Sequence, residues 1–505
     1  MISEPVHHPV ATVPAESLRR RAIHGTLVIS AAQAVKLIVQ FLSVIVLARL
    51  LTPTDFGHFA MIMPIAAFVM MLQDLGLSQA AQTSKELDDG QASALFWINT
   101  ALSAALALLF AASAPLMAAF YKEPQLQTPI FALAATVLAS GLAVQHFALL
   151  TRSMRFAALA WIDIASALCG FAVAVVIGLW APSIWALVWS VIVSMAIGLI
   201  GAWMVSGWRP GRPASYARIR DMLRLGGGLS TFSLSNFLAR NLDNILIGRF
   251  AGPLQLGLYD RAYKLLLFPL QQINNPIGRV MVPVLARLRD EPERYREAYR
   301  RVLQALLAIT IPGVVFLLVH ADDIILSLMG SRWTGAIGIF TWLAIAALHQ
   351  PMTATLGWLF VSQQRGRDFA HWGIFNAATS IAAFVIGLPW GAIGVAAAYA
   401  LSDVAIRLPA LWWWVSRRGP VGLHDLARIA LPFAAAMPVS VLLLFGIHRE
   451  MAADTPMLRM LLGGAAAYAS FWAVIALFGD GRSIFRELLD IARRRLSPVL
   501  GPAAA

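Results

Sequence analysis

Long apolar runs of 18–30 residues follow one another along most of the chain, divided by short clusters of Pro, Gly and charged residues. A hydrocarbon core of about 30 Å takes about 20 helical residues, and only helices or closed barrels satisfy their backbone groups inside it. Barrel strands read as alternating segments of about ten residues. These runs do not alternate, so they predict helices. Breaks place the spans near 22–50, 55–82, 91–120, 126–150, 157–180 and 184–206. A second set falls near 221–250, 256–283, 297–319, 335–361, 368–388, 391–415, 426–447 and 457–478. A short basic amphipathic tail, Ile484 to Leu496, closes the chain. Fourteen spans put both termini on one side of the membrane.

The basic residues test that count, because Lys and Arg collect on cytoplasmic loops. With the N-terminus inside, cytoplasmic segments carry 27 of the 39 Lys and Arg, while outward segments carry only Arg49, Lys122, Arg249, Arg332, Arg449 and Arg459. A missed helix would invert every later loop and destroy this alternation. Trp180, Trp185, Trp333 and Trp390 fall at the proposed outer boundaries, where tryptophan anchors are expected. The polar start of the chain is followed by Arg19, Arg20 and Arg21, and the apolar run behind them is too long for a signal-peptide core. It reads as an uncleaved first span.

Composition agrees. Of 505 residues, 59% are apolar and 13% charged, against roughly 25% charged in soluble proteins. No polar stretch approaches the ~50 residues of a small soluble domain. This excludes a soluble enzyme, a nucleic-acid-binding domain and an appended catalytic module. The net charge of +13 reads first as a topology signal rather than as evidence for a polyanionic partner. The single Cys169 allows no intrachain disulfide.

Leu42, Ile45, Arg49, Pro53 and Gly57 recur at the same spacing as Leu242, Ile245, Arg249, Pro253 and Gly257. Both sets fall at a helix–turn–helix after an outward-running span, so the halves read as parallel repeats related by an axis along the membrane normal. The expected organisation is a cytoplasmic N-terminal segment (1–21), an N-lobe of six helices (22–206) and a cytoplasmic linker (207–220). A C-lobe of six helices (221–415), a helix pair (416–482) and the basic tail (483–505) follow. The fold class is an all-α integral membrane protein.

The segment Ala48-Arg-Leu-Leu-Thr-Pro-Thr-Asp-Phe-Gly57, with Asp74-Leu-Gly-Leu-Ser78 and Phe120-Tyr-Lys-Glu-Pro124, resembles polysaccharide transporters of the Wzx/WzxC type. The second half adds Ile247-Gly-Arg-Phe-Ala-Gly-Pro253, Leu256-Gly-Leu-Tyr-Asp-Arg-Ala-Tyr263, Pro269-Leu-Gln-Gln-Ile273 and Arg279-Val-Met-Val-Pro283. The similarity covers most of the chain and is strongest over 25–125 and 225–305. The family belongs to the multidrug/oligosaccharidyl-lipid/polysaccharide (MOP) exporter superfamily, with the lipid II flippase and the MATE drug exporters. The resemblance implies a V-shaped pair of bundles in a bacterial inner membrane. It also implies transbilayer movement of an undecaprenyl-diphosphate-linked oligosaccharide for exopolysaccharide or O-antigen synthesis. Membrane lipids, that lipid-linked substrate and polysaccharide polymerase or export machinery are the implied partners; nucleic acid is not.

A charge at mid-bilayer costs from about 2.5 kcal/mol upward, so intramembrane ions are candidate functional residues. Lys36 sits mid-span with no acidic residue within a turn, which calls for a watery cavity or a partner on another helix. Arg240 and Asp243 share a helix face and read either as an internal pair or as cavity groups. Asp260 and Lys264 are spaced to pair, leaving Arg261 over for an anion. Together Lys36, Arg240, Arg261 and Lys264 form the candidate substrate-binding cations, suited to a diphosphate by bidentate Arg and point-charge Lys. Asp74, Asp163 and Asp243 are the candidate coupling or cavity acids. Asp403 and Arg407 read as an intrahelical pair, Arg279 as a flank, and His146 and His349 as structural.

No His/Cys/carboxylate spacing indicates a metal, and no GxxxxGK[ST] loop indicates ATP. The expectation is a non-enzyme without cofactor, driven by proton or sodium coupling. Two other readings stay open. A MATE-like small-molecule exporter of cations calls for acidic lining. A membrane polysaccharide polymerase or ligase usually needs a large outward loop, and the longest here, near 320–334 and 448–456, are short.

Overall fold

The computed structural model describes residues 15–74, 78, 81, 87–451, 456–478 and 482, with side chains described from residue 33 onward except at 74 and 216–240 within those segments. The basic tail 484–496 and the polar start of the chain lie outside the described residues. Every described element is helical, as the unalternating runs predict. The chain forms two compact units, residues 1–257 and 258–505.

In the first unit, α1 (Ala15–Leu50) and α2 (Pro53–Asp74) are separated by a tight corner. Thr52 and Asp55 make that corner: the Asp55 carboxylate accepts from Thr52 N at 3.0 Å, and Thr52 Oγ1 accepts from Asp55 N at 3.2 Å. This reciprocal cap satisfies donors that a helix start leaves open, and Pro53 supplies no donor at the first helical position. A second capping box, Asp88 with Gln91, starts α3 (Asp89–Ala112). The predicted span 91–120 is not one helix. It breaks at Ser113, before Pro115, and resumes as α4 (Ala114–Tyr121).

Next come α5 (Gln127–Arg152), α6 (Phe156–Trp180) and α7 (Ile184–Ser206). Without a hydrophobic force between helices in lipid, small residues that allow close approach hold such helices together. Gly170 on α6 accordingly faces Ser194 and the Ser190 carbonyl on α7, and Ser194 Oγ donates to Ser166 O at 2.9 Å. The longest helical stretch, α8 (Tyr216–Arg287), is interrupted at Gly252, whose φ of 84° and ψ of 174° are open to glycine and strained for other residues.

The second unit continues with α9 (Pro292–Val319) and α10 (Ala321–Met329). The segment 320–334, expected as a loop, is therefore mostly helical, and it ends in a turn that fully buries Trp333. Trp333 is not the interfacial anchor that its position in the sequence predicts, whereas Trp180 and Trp390 are 88% and 69% exposed. α11 (Ala336–Ala347) and α12 (Gln350–Ser362) meet at a 43° bend at Leu348 and His349. α13 (Gly366–Gly387) packs beside α14 (Gly391–Ser402) across the turn Leu388–Trp390. A π-turn, Asp403–Arg407, leads into α15 (Leu408–Ser416), followed by α16 (Leu423–Glu450) and α17 (Pro456–Ile475).

The core of this unit gathers Tyr295, Tyr299, Leu303 and Leu307 of α9 against Leu359, Phe433 and Phe471. Buried phenols need partners. Tyr299 Oη lies 3.0 Å from Thr355 Oγ1, and Tyr295 Oη 2.6 Å from Ser362 Oγ. The charged stretch 287–301 pairs with itself, through Arg294–Glu291 at 2.7 Å and Arg301–Glu297.

Ten helical stretches among the described residues are long and apolar enough to cross a membrane, or eleven if α11 and α12 form one span. The outward surface carries many large apolar side chains, including Leu442 at 74% and Met204 at 74% exposure. Such a surface is unfavourable in water and suits lipid. The chain is a multi-pass membrane protein.

Candidate functional site

The two repeat segments meet each other. A Cβ built on Gly57 would collide with the Pro253 carbonyl and lie 2.9 Å from Pro253 Cα. Reciprocally, a Cβ on Gly257 would collide with the Pro53 carbonyl and lie 2.9 Å from Gly57 N. The α1–α2 corner and the break in α8 are thus in backbone contact through equivalent residues. The motif 120–124 packs onto both. Glu123 Oε2 lies 3.3 Å from His58 Nε2 on α2, and Gln125 Nε2 lies 2.8 Å from the same ring nitrogen. The Phe120 ring stacks under the Arg249 guanidinium at 5.8 Å, and Tyr121 abuts Gly248. His58 and Glu123 were not legible as a pair, since 65 residues separate them.

The expected intramembrane charges divide between pairs and undescribed positions. Lys36 does find a partner on another helix: its Nζ lies 3.2 Å from Asp163 Oδ2 on α6. One candidate cation and one candidate acid are therefore each other's neighbours. Both remain open, at 45% and 56% side-chain exposure. Asp243 is buried, and its Oδ1 accepts from Asn244 N at 2.8 Å. The side chains of Arg240 and Asp74 lie outside the described residues.

At the start of the second unit, Asp260 is held by two cations. Lys264 Nζ is 2.8 Å from Oδ1 and Arg261 NH2 3.3 Å from Oδ2. The reading that leaves Arg261 without an acid is corrected here, because the two carboxylate oxygens serve both neighbours at once. Asp260 and Arg261 are buried, whereas the Lys264 side chain is 47% exposed. Lys264 is thus the open member of the trio. Arg279 is exposed.

A third cluster lies where two helices are broken. Asp403 and Arg407, at the ends of the π-turn, pair at 3.0 Å, and Arg407 also donates to Ser380 Oγ at 2.6 Å and Tyr399 O at 2.8 Å. His349, at the α11–α12 bend, places Nε2 3.2 Å from Asp403 Oδ2. Spacing on one helix reveals the Asp403–Arg407 pair but not the histidine on another. His146 is structural, with Nδ1 2.8 Å from Ser206 Oγ and its ring against Trp203.

Residues 46–338 match a protein family described as "Polysaccharide biosynthesis protein". The lipopolysaccharide biosynthesis protein WzxC of Escherichia coli (strain K12) is 25% identical over 84% of this chain and 87% of its own. The succinoglycan biosynthesis transport protein ExoT of Rhizobium meliloti (strain 1021) is 26% identical over 92% of this chain and 94% of its own. Among solved structures, the lipid II flippase MurJ in an inward closed conformation superposes with a TM-score of 0.70 at 14% identity, over 89% of this chain and 99% of its own. An inward-facing MATE transporter of the MOP superfamily gives 0.60 at 13% identity, over 78% and 95%. These likenesses establish the fold.

Proposed function

Since the chain belongs to the polysaccharide biosynthesis protein family, we propose that it is a flippase for an undecaprenyl-diphosphate-linked oligosaccharide in surface polysaccharide synthesis. The single observation that carries this reading is that Arg261 and Lys264 gather on one carboxylate, Asp260, with the Lys264 side chain half-exposed. An anionic headgroup is the chemistry such a group receives. Relatives named for lipopolysaccharide synthesis and succinoglycan transport, matched over most of their length, support the substrate class.

In this reading fourteen helices cross a bacterial inner membrane with both termini cytoplasmic. The stretch Gly366–Ser416 then counts as two crossings, since its 51 residues would extend about 75 Å as one helix. The predicted six-helix lobes alternate access, Lys36, Arg240, Arg261 and Lys264 serve as the cations that receive the headgroup, and proton or sodium is the coupling ion. The polyprenyl tail stays in lipid while the headgroup crosses, and no covalent bond is made or broken.

The test is export in a strain lacking its own flippase. The intact chain restores surface polysaccharide, and Arg261→Ala with Lys264→Ala abolishes it while lipid-linked repeats accumulate on the cytoplasmic leaflet. Full export by that inserted double variant overturns the proposal.

A further inference from the structure

Outside these clusters, the C-terminal end of α9 assembles a group of residues that their sequence spacing conceals. The chain turns from α9 into α10 through His320, which puts Asp323 one turn further on. α16 brings His448 to the same place from 128 residues away, and α17 brings Arg459. His320 Nδ1 lies 3.3 Å from Asp323 Oδ2, His448 Nδ1 lies 3.4 Å from that oxygen, and the two imidazole nitrogens lie 3.4 Å apart. Three ligand atoms thus form a nearly equilateral triangle.

That triangle has the dimensions of one face of a zinc tetrahedron. Zinc–nitrogen bonds of about 2.0–2.1 Å require neighbouring ligand atoms about 3.3–3.4 Å apart. The surroundings fit as well. Arg459 donates to Asp323 Oδ1 at 2.8 Å, which orients the carboxylate and leaves Oδ2 for an ion. Asp322 stands 3.6 Å from His448 Nε2, on the far side of that ring from the triangle, where outer partners of ligating histidines sit. His320 is fully buried, and Gly463 on α17 admits its ring, since a Cβ there would come within 3.0 Å of the imidazole. His448 and Asp322 are the more exposed members and mark the side of entry.

We propose that His320, Asp323 and His448 form a zinc-type divalent metal site, three protein ligands with a fourth position open, that ties the α9–α10 turn to α16. In the structure His320 hydrogen-bonds to Asp323, and His448 lies within ion-pair distance of the same oxygen. The proposal is independent of the substrate.

The test uses the full-length protein in detergent, stripped with chelator, incubated with zinc chloride and desalted. Metal analysis is expected to find about one zinc per chain, and zinc to raise the unfolding midpoint. Cobalt substitution is expected to give the visible absorption of a tetrahedral site. His448→Gln and, as a second variant on a different helix, Asp323→Asn lose the bound metal, the midpoint shift and the cobalt spectrum while eluting as folded protein. The conclusion is overturned if the intact protein retains no more zinc than either variant, or if its cobalt spectrum lacks tetrahedral bands.

Discussion

Gly57 and Pro253 stand so close that no side-chain carbon fits between them, and Gly257 and Pro53 repeat the relationship. Two segments that repeat at an offset of 200 positions thus meet through equivalent partners. Alanine at Gly57 would drive a Cβ into backbone, which has no rotamer with which to yield. Overpacking of this kind costs about 1–3 kcal/mol. Gly57→Ala and Gly257→Ala are each expected to lower the unfolding midpoint of the detergent-purified protein. Gly373→Ala, at a helical position with open space around it, should leave it unchanged or raise it slightly. Equal midpoints for all three would refute the close contact.

Lys36 and Asp163 pair at 3.2 Å while each keeps about half of its side chain open, so shortening or neutralising either one leaves the packed core untouched. Lys36→Met and Asp163→Asn should therefore insert and accumulate normally. If the pair serves transport, both variants lose polysaccharide export, and the exchange Lys36→Asp with Asp163→Lys recovers part of it. Normal export by both single variants would remove the pair from the transport mechanism.

Arg407 is 2% exposed and holds Asp403, Ser380 and the Tyr399 carbonyl. Arg407→Leu takes from the buried Asp403 carboxylate its guanidinium partner and leaves only the His349 ring beside it among these groups. Breaking one side of a buried pair costs about 3–5 kcal/mol, whereas replacing both sides with apolar groups is far milder. The expected order of thermal stability is intact protein, then Asp403→Leu with Arg407→Met, then Arg407→Leu. A double variant less stable than the single one would contradict this account.

Tyr299→Phe removes a buried hydroxyl and leaves Thr355 with its own backbone bond to Met352 O at 2.8 Å. A loss of about 1 kcal/mol is expected in chemical unfolding. No loss would mean that the phenol bond is not formed.

The apolar runs and the basic loops made the helices and most of their limits legible, since burial in lipid imposes length and composition on each helix separately. The same local rule explains the misses. Span 91–120 reads as unbroken because apolarity continues across Ser113, although the backbone does not continue as one helix there. Trp333 reads as an anchor from its place between spans, but the turn after α10 carries it into the core. Among the charges, spacing of four revealed Lys264 with Asp260 and Arg407 with Asp403, because one helix turn brings those side chains together. It could not reveal that Arg261 shares the same carboxylate.

Sequence by itself determined a membrane-embedded helical protein of this family, with its repeat and its few costly intramembrane charges. Those properties depend on each segment's composition and local periodicity. Tertiary structure alone decided that Lys36 meets Asp163, that Gly57 meets Pro253, and that His448 joins His320 and Asp323. Each of these joins residues more than a hundred positions apart, and only the packing of separate helices, which no local pattern encodes, sets such distances.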